Sequence, residues 1–260
     1  MQQLPIEEFG KQLLDTKDLD PVYVALEELD LDTRARWCTA YWLYYHCGIA
    51  CMATDSDFWK VIWDNLEGRR GMERRHFRGG LAREAVRQME RNFPDPASFP
   101  ASIAETRPLT FRTLTKAVQK HYGFGVWISF KISDVMERCL KYPVDGSDCI
   151  DTWYRDPLLA SDMLCEEKGW NAETPKVKAC GYLIQLFGDR IAPPDGRRRF
   201  NAQEAETILC KWKSHRHKHY YIGKDTIDVY EALENVFTPS AIKMKRALKP
   251  LKRQFERRLW

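Results

Sequence analysis

A chain of 260 residues that is 44% hydrophobic and carries nine tryptophans is built for a packed interior, which excludes a disordered tail. Its net charge of +4 excludes any case for nucleic acid from overall charge, so an electrostatic argument must rest on where the charges fall. Eight cysteines show no paired spacing, and no basic-then-apolar leader or bilayer-length apolar run is present, so buried free thiols in a reducing compartment and no membrane span are expected.

Acidic residues gather in the first thirty positions, where Asp20-Pro21 places a capping residue before a proline at the first helical position. Trp37 to Ala53 is nearly continuous apolar sequence, interrupted by His46, and predicts a buried central helix. Within it Tyr41 and Tyr45, and Trp42 and His46, are four apart and share faces. Such faces suit either an aromatic core or a surface that stacks on a base and holds a proton donor. Asp55 or Ser56 is placed to cap the helix of Phe58, Trp59, Ile62 and Trp63. Between Gly71 and Gly79, Arg74, Arg75, His76 and Arg78 crowd together, an arrangement that repels itself unless acids or a phosphate neutralise it.

After the Pro-rich joint at 93–100 comes His121-Tyr122-Gly123-Phe124-Gly125-Val126-Trp127. A Gly-x-Gly turn that opens a helix aims several backbone N–H groups outward, where they can hold a phosphate oxygen; it also serves as an ordinary turn between helices. Twenty residues on, Asp145, Asp148 and Asp151 precede Trp153-Tyr154-Arg155-Asp156-Pro157, bringing acids and an arginine together. Acids this dense suit a general base, an amine site, a metal site or helix caps, and Asp156 before Pro157 reads as a cap. A second joint spans 191–199, Asn201 with Glu204 forms a capping-box pattern, and Thr238-Pro239 opens a last basic helix. Basic clusters recur at Arg197–Arg199, at Lys211, Lys213, Arg216, Lys218 and Lys224, and from Lys243 to Arg258. They suit either solvated helix faces or a phosphate-tracking surface. His215, His217 and His219 alternate, which points helical side chains apart, so no metal is expected there, and no Walker or dinucleotide motif appears.

Apolar spacing of three and four with no strand pattern predicts an all-α fold. We read a single domain over 1–260 with a hairpin-containing lobe at 101–170 and a second lobe from 1–100 and 171–260. Taken from the residues, a helix-hairpin-helix DNA glycosylase, which places a catalytic aspartate one helix beyond such a turn, and a non-catalytic DNA-binding module are both open.

These motifs in this order resemble the bacteriophage alpha-glutamyl/putrescinyl thymine pyrophosphorylases, also described as amino acid:DNA transferases. The similarity rests on Tyr41-Trp42-Leu43-Tyr44-Tyr45-His46-Cys47-Gly48, Glu73-Arg74-Arg75-His76-Phe77-Arg78-Gly79 and Gly123-Phe124-Gly125-Val126-Trp127. It continues through Val144-Asp145-Gly146, Trp153-Tyr154-Arg155-Asp156-Pro157 and Cys210-Lys211-Trp212-Lys213. The resemblance implies a two-lobed, helix-hairpin-helix, DNA-glycosylase-like fold used for transfer in the cytoplasm of an infected bacterial host. Its DNA substrate would contain 5-phosphomethyl-deoxyuridine, made from 5-hydroxymethyluracil. Its co-substrate would be an amino acid or polyamine such as glycine, glutamate or putrescine, and no cofactor is implied.

That chemistry sets requirements on the residues. The leaving phosphate needs cations, for which Arg74, Arg75 and Arg78 come first and Arg155 next. The ammonium must lose a proton, for which Asp145 is the first candidate, with Asp148 and His46 behind it. Tyr45, Trp153 and Tyr154 would hold the thymine ring, Lys213 or Arg155 a co-substrate carboxylate, and Gly123, Gly125, Lys211 and Lys213 the DNA backbone.

Overall fold

The computed structural model describes residues 3–66, 79–194 and 198–256. The expected helical periodicity is realised throughout them. The first half of the chain forms α1 (Ile6–Asp15), α2 (Pro21–Leu26), α3 (Leu31–Tyr44), α4 (Cys47–Thr54), α5 (Phe58–Asn65), α6 (Gly79–Asn92) and α7 (Ser98–Ala104). The second half forms α8 (Phe111–Gln119), α9 (Val126–Arg138), a 3-10 turn at Cys149–Thr152, α10 (Arg155–Glu167), α11 (Pro175–Phe187), α12 (Ala202–Arg216), α13 (Lys224–Glu234) and α14 (Pro239–Glu256). Extended pairing among the described residues is limited to isolated bridges, Thr110 with Asp145 and Ile191 with Arg199. The fold is all-α.

Two apolar cores form. The first gathers Trp37, Trp42, Phe99, Met136, Leu233 and Met244, from α2–α9 together with α13 and α14. The second gathers Phe9, Trp153, Leu183, Phe187 and Trp212, from α1, the 3-10 turn and α10–α12. The α8–α9 hairpin feeds both, with Leu114, Val118 and Ile132 in the first and Phe111 and Phe130 in the second. Residues 101–170 therefore contribute to both cores, because successive faces of the same helices turn to opposite sides.

The apolar run from Trp37 to Ala53 is two helices, not one. Tyr45 takes a left-handed conformation at φ 54°, and His46 then caps α4, its Nδ1 accepting the Ile49 N–H at 3.3 Å. Gly48 explains why α4 turns away here: a Cβ on it would lie 2.3 Å from the Ala232 carbonyl oxygen, so α4 and α13 meet backbone to backbone. The capping expectations fared unevenly. Asn201 and Glu204 form the expected box, whereas Asp57, not Asp55 or Ser56, caps α5. Asp55 instead accepts from Ser240 at the start of α14. Tyr154, not Asp156, stands at the α10 N-cap. In both cases the acid expected to cap has a tertiary partner instead, Ser240 for Asp55 and Lys213 for Asp156.

Beneath the junction of the cores lies a buried ionic network. The Arg138 guanidinium reaches Asp20 at 2.7 Å, Asp134 at 3.3 Å and Glu204 at 3.4 Å, and donates to the Pro193 carbonyl at 2.8 Å. Tyr23 and Gln203 both donate to Asp134, and Arg198 bridges Glu137 and Glu204. Burying a charge is costly unless it is paired and hydrogen-bonded, and here every member has partners. The network ties α2, α9 and α12 into one frame.

Candidate active site

A cleft of about 680 Å³ opens where the two cores meet, walled by α2, the end of α3, the α8–α9 turn and the faces of α9, α12 and α13. Clefts between packed bodies are the usual location of small-molecule sites. Its position follows from local sequence. Gly123 sits at φ 84°, a conformation that side-chain-bearing residues rarely adopt, and this turn tucks Phe124 against Phe99 and His121. Gly125 then stands at the N-cap of α9 in extended conformation with open space where a Cβ would be. The first-turn N–H groups of Val126, Trp127 and Ile128 have no intrahelical acceptors, and all three residues line the cleft.

One wall is aromatic. Tyr45 and Tyr41 rings lie 4.3 Å apart, and Trp127 meets Tyr45 at 4.9 Å. The left-handed turn at Tyr45 swings its ring over Tyr41, so the pairing expected from i,i+4 spacing survives although the helix has ended. Tyr23 and Tyr154 complete the wall. The Tyr154 hydroxyl lies 3.6 Å from the Cys210 Sγ and beside Glu206. Burial raises that phenol well above its ordinary range and pushes the Cys210 thiol up to about 12, so both stay protonated at neutral pH.

The other wall is charged, and its carboxylates are all held by cations: Asp156 by Lys213 at 2.7 Å, Asp225 by Lys211 at 2.5 Å, Asp228 by Lys224 at 2.5 Å and Asp20 by Arg138. Deeper in, Lys131 pairs with the fully buried Glu206 at 3.1 Å. Lys211 is fixed further by donating to the Asp18 carbonyl at 2.7 Å and lying over the Tyr220 ring. Burial opposes its charge, but Asp225, Asp18 and Asp20 outweigh burial and leave its pKa raised. The Asp18 carboxylate is itself locked, accepting from Tyr220, the Gly223 N–H and both the N–H and hydroxyl of Thr226. Burial raises the Asp18 carboxyl above its ordinary range even so, and Asp20 is raised as well. Burial pushes Asp20 up to about 6, against the pull of Arg138 and with the help of Asp134.

The sequence-derived candidates divide. Tyr45, Tyr154, Gly123, Gly125, Lys211 and Lys213 come together on the cleft. Asp145, Asp148, His46, Trp153 and Arg155 are not among its lining residues. Asp145 is exposed, and its carboxylate accepts the Ser147 N–H at 2.9 Å, a bond that lowers its pKa. Asp148 accepts the Arg112 N–H at the start of α8, and His46 caps α4. Trp153 is buried in the second core and Arg155 is exposed at the start of α10. Arg74, Arg75 and Arg78 lie outside the described residues. Of the histidines, His215 is structural: its Nε2 accepts the Leu4 N–H and its Nδ1 faces the Tyr220 carbonyl, which makes Nδ1 the protonated nitrogen. His217 and His219 line the cleft mouth. Among the described residues no group of three or more His, Cys, Asp or Glu is arranged to hold a metal ion, and no helix is long and apolar enough to cross a membrane.

Sequence reasoning missed Asp20, Lys131, Glu206, Asp225 and Asp228. Asp20 was absorbed into a capping reading because a proline follows it. Lys131 carried a usable signal: it interrupts the apolar series Trp127, Ile128, Phe130 and Ile132, where a charge needs a buried partner.

Comparison with known proteins gives a consistent result. Residues 14–221 match the sequence profile of the amino acid:DNA transferases. The chain is 35% identical to a glycinyltransferase of Pseudomonas phage PaMx11, with 89% of this chain and 90% of that protein covered. It is 29% identical to a putrescinyltransferase of Delftia phage PhiW-14, covering 86% and 77% respectively.

Proposed function

Since the chain belongs to the amino acid:DNA transferase family, we propose that it joins an amino acid or amine to the 5-methylene of 5-phosphomethyl-deoxyuridine in DNA and releases phosphate. The observation that carries this reading is the cleft, in which an aromatic wall faces a charged wall at the mouth of a glycine turn. The modified base, extruded at a cost of roughly a few kcal/mol of unstacking, stacks against Tyr45 and Trp127. Gly123, Gly125 and the first N–H groups of α9 hold the backbone phosphate beside it. In this reading the protein acts in the cytoplasm of a phage-infected bacterium.

The amine nitrogen forms a bond to the exocyclic methylene carbon, and the carbon–oxygen bond to phosphate breaks with its electron pair leaving on phosphate. Lys211 and Lys213, already fixed by Asp225 and Asp156, offer the positive charge that phosphate needs as it departs. The ammonium must first surrender a proton. Asp20 suits this better than Asp145, because it lies on the cleft and its affinity for a proton is raised, whereas Asp145 closes an exposed turn and its affinity is lowered. Paired charges of both signs also suit a zwitterionic co-substrate.

Mass spectrometry of nucleosides, after incubating the protein with 5-phosphomethyl-deoxyuridine DNA and a panel of amino acids and diamines, tests the reading. A mass gain equal to one amine, with free phosphate released in equal amount, is expected. Abasic sites in place of an adduct would make the protein a glycosylase, and no change with any amine would overturn the substrate assignment.

A further inference from the structure

Helix α14 begins eighteen residues beyond the segment that matches the family profile, and it carries a charge pattern unlike that of the cleft. Ala241, Met244, Leu248 and Phe255 are buried at helical spacing, so one face packs on the body, mainly against α13, α2 and α4. Lys243, Arg246, Lys249 and Arg253, at intervals of three, three and four, are all exposed and fall on the opposite face. None of the four forms an ion pair with a described residue. Their neighbours on the helix differ: Lys252 pairs with Glu256 at 3.1 Å, and Lys245 donates to the Val236 carbonyl at 2.8 Å. Asp30 lies close enough to Lys243 to feel its charge, yet forms its hydrogen bonds with Thr33.

Four cations in one row without an ion-pair partner among the described residues repel one another and weaken the helix slightly, a cost that an anion of matching length lying along them would offset. Ten residues of helix span about 15 Å. The phosphate backbone of duplex DNA offers a row of negative charge of comparable length for these four cations to meet. We infer that the exposed face of α14 is a docking surface for the phosphate backbone of duplex DNA flanking the modified base. The inference rests on the family's DNA substrate and is independent of the chemistry assigned to the cleft.

Fluorescence anisotropy with unmodified duplex DNA across a range of salt concentrations tests it, comparing the wild-type protein with K243Q/R246Q/K249Q/R253Q. Because the four side chains are exposed, the variant should melt with the wild-type protein, which a thermal unfolding scan checks. The slope of log affinity against log salt should shrink by about 3 to 4 as the counterions released at these phosphates drop out. An unchanged slope in the folded variant would overturn the inference. If the quadruple variant does not fold, the pair variants K243Q/R246Q and K249Q/R253Q decide, each with an expected loss of about 2 in slope. Unchanged slopes in both pairs would likewise overturn it. Because the DNA is unmodified, a failed transfer assay leaves this result standing, and an unchanged slope leaves the transfer chemistry standing.

Discussion

The cleft presents lysines and the outer face of α14 lysines and arginines, in opposite electrostatic states. In the cleft each carboxylate already has its cation, and Lys211, Lys213 and Lys224 are held at 2.5 to 2.7 Å by acids on the same or a facing helix. Such cations are pre-oriented, and a substrate phosphate must share them with Asp225, Asp156 and Asp228. On α14 Lys243, Arg246, Lys249 and Arg253 have no such partners among the described residues and act at longer range, where salt screens them. Composition does not separate the two sets. What separates them is whether the fold brings an acid to the same place.

Removing the buried support of the cleft should have the largest effect on stability. Arg138→Met strands Asp20, Asp134 and Glu204 without their shared cation, and denaturant unfolding should show a loss of about 3–5 kcal/mol. A loss below about 0.5 kcal/mol, within the range of an ordinary surface substitution, would mean that the network is not the frame of the cleft.

Asp20→Asn keeps the shape of the side chain and removes its basicity. It should lower transfer by about a hundredfold or more while leaving duplex affinity intact. Asp145→Asn, outside the cleft, should change transfer far less; the reverse order would restore Asp145 as the proton acceptor. The same pair of proteins separates on pH. A carboxylate must be ionised to accept a proton, so wild-type kcat/KM should fall as pH drops through about 6, and Asp20→Asn should lack that limb. The sign for stability is opposite. The folded pKa lies above the ordinary value of 3.8, so burial penalises the ionised form, and Asp20's own contribution to stability should improve as pH falls from about 6 towards 4. Unfolding of wild type and Asp20→Asn across that range measures the difference.

The smallest effect on folding should come from Gly125→Ala. Its backbone is open to any residue and its Cβ would meet nothing within 4 Å, so unfolding should change by no more than about 0.5 kcal/mol. If the backbone phosphate approaches the α9 N-terminus there, KM for DNA should still rise several-fold. An unchanged KM would move the DNA away from this turn.

Much of this was legible in the residues. Helical spacing and the absence of alternation predicted the all-α fold, and Gly123, Gly125, Tyr45, Tyr154, Lys211 and Lys213, singled out by their motifs, lie on the cleft. The partners of Asp20 and Lys131 were not legible, because they lie more than a hundred residues or several helices away: Arg138 for Asp20, and Glu206 for Lys131, whose place in an apolar series signalled only that it needs one. The acids around Asp145 drew attention by density alone, yet Asp145 and Asp148 accept hydrogen bonds at an exposed turn and a helix start. Local acids are as suited to capping as to catalysis, and sequence proximity does not distinguish the two uses.

By itself the sequence determined which segments are helices, which faces of them are apolar, and the family to which their ordered motifs point, since these follow from periodicity and residue chemistry over short spans. Only the tertiary structure decided that the long apolar run breaks at Tyr45, that the α8–α9 hairpin serves two cores, and which charges are neutralised in the cleft and which on α14 lack an ion-pair partner among the described residues. Those outcomes depend on Gly48 meeting Ala232 and on carboxylates arriving from distant helices. Such pairings are settled by competition for space and for counter-charge across the whole packed chain.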